Sequence, residues 1–66
     1  MRIETLTRMA QEIAVNNGVF PEDEATRRVA DHLRSFWTPA MLRDFTAYVT
    51  EHPDAVDPVV RAALES

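Results

Sequence analysis

Apolar residues recur along this chain at helical spacing, with no stretch that alternates apolar and polar as a half-buried strand would. Near the start, Ile3, Leu6, Ala10, Ile13 and Ala14 return every three or four positions and line one helix face. Glu4, Arg8 and Glu12 fall on the other side, four apart, where opposite charges can pair along the surface. Asn16-Asn17-Gly18 stops the helix, and Gly18 is expected to take the left-handed conformation of a C-terminal cap. The pattern predicts a first helix over residues 3–17.

Phe20-Pro21 opens a second helix, predicted over 21–37. Proline suits a first turn, and Glu22, Asp23 and Glu24 put negative charge at the positive end of the helix dipole. This acidic run reads as a helix start, because a hard cation needs more oxygen ligands from a loop of defined spacing. At about 100° per residue, Ala25, Val29, Leu33 and Phe36 share one arc, which assigns Phe36 to the core. Trp37 lies about 100° further round, beside Ala30 and Arg34.

Thr38-Pro39 is the clearest boundary in the chain. Threonine can cap a helix whose first position proline fills, and the residue before a proline disfavours helical geometry. A third helix over 39–51 carries Met41, Leu42, Phe45, Tyr48 and Val49 on one broad face, and His52-Pro53 ends it. Asp57-Pro58 repeats the cap-then-proline signal and starts a short helix over 58–65 with Val59, Val60, Ala63 and Leu64. With one glycine in all, the chain is predicted to be all-α. The expected architecture is a single helical domain over 1–66, a small bundle of three main helices plus a short C-terminal helix.

Length limits what such a bundle can do alone. For 66 residues, apolar burial and the entropy of ordering the chain about cancel. No cysteine is present to add a disulfide, a thiolate metal site or a thiol nucleophile. A partner surface or self-association is therefore expected. No apolar run approaches the roughly 20 residues of a membrane span. MRIETLTRMAQEIA lacks the apolar segment of a signal peptide, so a cytoplasmic protein is expected. The net charge of −4 repels phosphate backbones and argues against nucleic acid as partner. All seven basic residues are arginine, a residue enriched at protein interfaces where lysine is depleted.

Candidate chemistry is sparse. His32 and His52 stand on different helices without a carboxylate at matching spacing, a poor zinc set. A phosphate-cradling loop needs several glycines, and a hydrolytic triad needs a cleft that so small a bundle cannot shelter. No catalytic, cofactor-binding or metal-binding residues are assigned. What remains is a surface: Trp37, Ala30 and Arg34 form a shoulder with the composition of a binding hot spot, and Trp37 is expected to stay at least partly accessible. With His32, Pro39 and Met41 they make up the candidate partner-binding set.

The motif order goes further. LTRMAQEIA, VADHLRSFWTPAML and DPVVRAALE, taken together, resemble the delta subunit of NAD-dependent formate dehydrogenase. The most recognisable block of that family, His-Leu-Arg-x-Phe-Trp-x-Pro-x-Met, is matched by His32, Leu33, Arg34, Phe36, Trp37, Pro39 and Met41. Ala40, where a basic residue is expected, and Asn16-Asn17-Gly18, in place of aromatics, depart from the pattern. The resemblance implies a non-catalytic accessory subunit that docks on the large molybdenum-containing subunit and aids assembly or retention of the pterin cofactor. Other subunits of such a complex hold the molybdopterin centre, the iron–sulfur clusters and the FMN, and pass electrons from formate to NAD. The alternative reading is a self-associating helical interaction module unrelated to formate oxidation.

Overall fold

A computed structural model describes residues 2–65. It contains four α-helices: α1 (Ile3–Asn16), α2 (Glu22–Phe36), α3 (Pro39–Glu51) and α4 (Pro58–Glu65), with a 3-10 turn at Pro53–Ala55 between the last two. No strand occurs among the described residues, so the fold is all-α. Among the described residues, no helix is long and apolar enough to cross a membrane.

Local chemistry sets each boundary, though not always by the expected device. Gly18 does not adopt a positive φ. Asn17 ends α1 instead: its Nδ2 donates to the Ile13 carbonyl at 2.9 Å, while its backbone N–H reaches the Ile13 and Ala14 carbonyls at 3.2 Å. The Gly18 N–H donates to the Val15 carbonyl at 3.0 Å, and a Cβ at position 18 would lie 3.2 Å from that same oxygen. Close approach, not left-handed backbone, is what glycine supplies here. On the surface of α1, Glu4 pairs with Arg2 at 2.9 Å rather than with Arg8.

Pro21 stands just outside α2, and the three acidic residues fill its first turn. Glu24 holds Arg28 at 2.8 Å, and the Arg28 guanidinium lies 3.9 Å from the centre of the Phe20 ring. The loop between α1 and α2 is thus pinned by one arginine working in two directions. At the start of α3 the Thr38 Oγ1 accepts the Met41 N–H at 3.2 Å, with Pro39 in the first helical position. Arg61 on α4 donates to the Pro53 carbonyl at 2.6 Å and the Val56 carbonyl at 3.2 Å, which fixes the 3-10 turn. The Asp57 N–H donates to Gln11 Oε1 at 3.2 Å and ties the entry of α4 to α1.

Helix α1 is central, meeting α2, α3 and α4, while α2 packs most extensively against α4. The core is apolar throughout, built on Leu6, Ala10, Val29, Leu33, Phe45 and Val60, all at most 2% exposed. The radius of gyration, 10.6 Å, is what a closed chain of this length should show, about 10.8 Å. Its accessible surface, 4404 Å², is likewise near the roughly 4,200 Å² expected for this mass. Apolar groups left outside are therefore not the by-product of an open chain.

Candidate docking groove

The two adjacent aromatics occupy the opposite positions from those the helical wheel assigns. Helix α2 ends at Phe36, and Trp37 is the first residue beyond it, with extended backbone at φ −95° and ψ 143°. A 100° step no longer applies once the backbone leaves helical geometry. The indole turns inward, is 5% exposed, and meets the Phe45 ring edge-on with centroids 5.4 Å apart. Phe36, still helical, is 73% exposed. The buried residues of α2 are Ala25, Val29, Ala30 and Leu33; Phe36, the last residue of the helix, stands beyond Leu33 at the helix end and is left out of the core beside His32. Its ring tilts against the His32 imidazole, centroids 4.7 Å apart.

The proposed shoulder of Trp37, Ala30 and Arg34 is corrected in the same way. Ala30 is 3% exposed and, with Trp37, belongs to the core. Arg34 alone stays outside, its Nη1 3.3 Å from Asp31 Oδ1. His32 and Pro39 are exposed and Met41 is half-buried.

A different concavity results. Met9 and Ile13 from α1 face His32 and Phe36 from α2 and Met41 from α3, across a groove of about 330 Å³. Trp37 contributes the narrow edge it leaves uncovered, and Glu12 and Asn16 complete the lining. The helix junction builds this site: Thr38-Pro39 forces the chain to turn, the turn buries Trp37, and the ring of Phe36 is left standing beside α1. Three of the six sequence-selected residues, His32, Trp37 and Met41, come together here, whereas Ala30, Arg34 and Pro39 do not line the groove.

Met9, Ile13 and Phe36 were not in that set. Met9 and Ile13 are four apart, a signal for one helix face, but their facing the α2–α3 junction depends on tertiary packing that no single helix reveals. The groove offers thioether, aliphatic and aromatic surface with one imidazole and one carboxylate. It is suited to holding an apolar side chain. No group of three or more His, Asp or Glu side chains among the described residues is placed to hold a metal ion.

No curated protein and no solved structure matches the chain. Residues 5–64 match the family described as NADH-dependent formate dehydrogenase delta subunit FdsD, a span that includes every residue of the groove. The chain therefore belongs to the FdsD family of formate dehydrogenase delta subunits.

Proposed function

We propose that the chain is a non-catalytic accessory subunit that binds the large molybdenum-containing subunit of a cytoplasmic formate dehydrogenase and aids its assembly or the retention of its pterin cofactor. Phe36 carries this reading: a closed core of hydrophobic residues leaves one large aromatic 73% exposed at the edge of an apolar groove. Exposed aromatic surface beside a pocket is the usual composition of a protein-binding hot spot. Membership of a delta-subunit family supplies the company in which such a surface would be used. In this reading the metal centre, the clusters and the flavin reside in other subunits, and this chain acts by covering and bracing the surface it binds.

Co-expression with a tagged large subunit tests the proposal. The chain is expected to co-purify, and the molybdenum content of the large subunit is expected to fall when the chain is omitted. Failure of the wild-type chain to be retained would remove the docking role. Retention with unchanged molybdenum content would leave docking and remove the part played in cofactor retention.

A further inference from the structure

We infer that the groove between Phe36, Met41 and α1 seats an apolar side chain projecting from a helix of the larger formate dehydrogenase subunit, with a basic residue of that helix meeting Glu12. The inference rests on the docking role proposed above and specifies what docks. At about 330 Å³ the groove is too small to enclose a helix but sufficient for one or two apolar side chains. Its walls differ in stiffness. The Trp37 edge is fixed by the Phe45 ring behind it, whereas Met9 and Met41 carry flexible thioethers that can fit themselves to an incoming group. Such a combination suits a side chain presented by an amphipathic helix laid across the opening.

Charge selects the kind of helix. Glu12 lines the groove, is exposed, and makes no ion pair among the described residues. Arg28, which lies beside His32 and Phe36, and Arg34, further round α2, are already held by Glu24 and Asp31. Arg8, one turn earlier on α1, is not within ion-pair distance of Glu12. Glu12 is thus the one carboxylate lining the groove, on a chain of net charge −4. A cationic flank on the occupant gains from this field, and a second copy of this acidic chain does not.

A photo-crosslinking residue reads the occupant directly. The Phe36→benzoylphenylalanine variant, co-expressed with the tagged large subunit and irradiated, should crosslink to a helical segment of that subunit. That segment should present Leu, Met, Ile, Val or Phe with Lys or Arg within four residues. A crosslink to an acidic or wholly polar segment, or to a second copy of this chain, overturns the inference. In parallel, Phe36→Asp should weaken binding to the large subunit at least tenfold, and Glu12→Arg should weaken it severalfold. Val19→Asp, which changes a residue 86% exposed and outside the groove, should leave binding unchanged. Phe36 is exposed, so circular dichroism of the isolated Phe36→Asp chain should match wild type and separate lost binding from lost folding. If wild type is not retained by the large subunit, the docking role itself fails. If wild type is retained and Phe36→Asp is retained equally well, docking stands and the groove is not the site.

Discussion

Trp37 and Phe45 pack edge to face, with ring centroids 5.4 Å apart and planes at 64°. The pair joins the residue just beyond α2 to the middle of α3, and so closes the bundle where the chain turns at Thr38-Pro39. Aromatic pairs in this geometry contribute about 0.5–1.5 kcal/mol beyond the area they bury. Trp37→Ala should cost about 3–5 kcal/mol, as large-to-small core changes do. For a domain of this size that is most of the total stability. Phe36→Ala, one residue earlier, should change the stability of the isolated chain by no more than about 0.5 kcal/mol, as exposed substitutions do. Urea denaturation followed by circular dichroism measures both. Comparable losses for the two variants would refute the assignment of Trp37 to the core and Phe36 to the surface.

This exchange of roles shows where sequence reasoning reached and where it stopped. The helical class was legible because apolar spacing, helix-starting prolines and the shortage of glycine all pointed the same way. Thr38-Pro39 was legible as a junction because capping and steric exclusion act within a few residues of each other. The aromatic pair was not, because a wheel assumes helical backbone and Trp37 sits just past the last helical residue. Gly18 misled for a related reason: a glycine at a helix end commonly signals left-handed backbone, yet here Asn17 supplies the cap. The groove itself was only half visible. Its α2 and α3 residues fall in one contiguous motif, while Met9 and Ile13 join it only through the packing of α1 across the junction.

Thr38 offers a second test of the junction. Its hydroxyl oxygen satisfies the Met41 N–H at 3.2 Å, one of the orphan donors at the start of α3. Removing it by Thr38→Ala should cost about 1 kcal/mol, and Thr38→Ser or Thr38→Asp should restore most of the loss because either oxygen can accept the same bond. Thermal unfolding of the three variants decides the matter. Equal destabilisation by Ala and Ser would show that the methyl group, not the hydroxyl, is what matters.

Thr7 presents the opposite situation. Its Oγ1 is buried within α1 and has no hydrogen-bond partner. A buried hydroxyl left unpaired carries the cost of losing its water, whereas a methyl group in the same place carries none. Thr7→Val keeps the branched shape and should raise stability by about 1 kcal/mol. Thr7→Ser, which keeps the hydroxyl and loses the methyl, should lower it. Denaturant midpoints give both signs, and a loss of stability on Thr7→Val would show that the hydroxyl has found a partner in solution.

Arg61 holds the final turn through two carbonyls rather than through a carboxylate. Its Nη1 lies 2.6 Å from the Pro53 oxygen and 3.2 Å from the Val56 oxygen, spanning the 3-10 turn from the second turn of α4. Hydrogen bonds to a charged group contribute about 1.5–3 kcal/mol when sheltered, and partial exposure lowers this to about 1–2 kcal/mol. Both bonds leave the single nitrogen Nη1, so a lysine ammonium can replace them in part, but it is a more strongly hydrated charge on a flexible stem. Arg61→Ala should therefore destabilise the chain, with Arg61→Lys intermediate, and the loss should begin locally. Hydrogen exchange of the Asp57 N–H, which bonds Gln11 on α1, should accelerate well before that of the α2 core amides. Uniform acceleration across all four helices would instead mean that the turn and the core open as one unit.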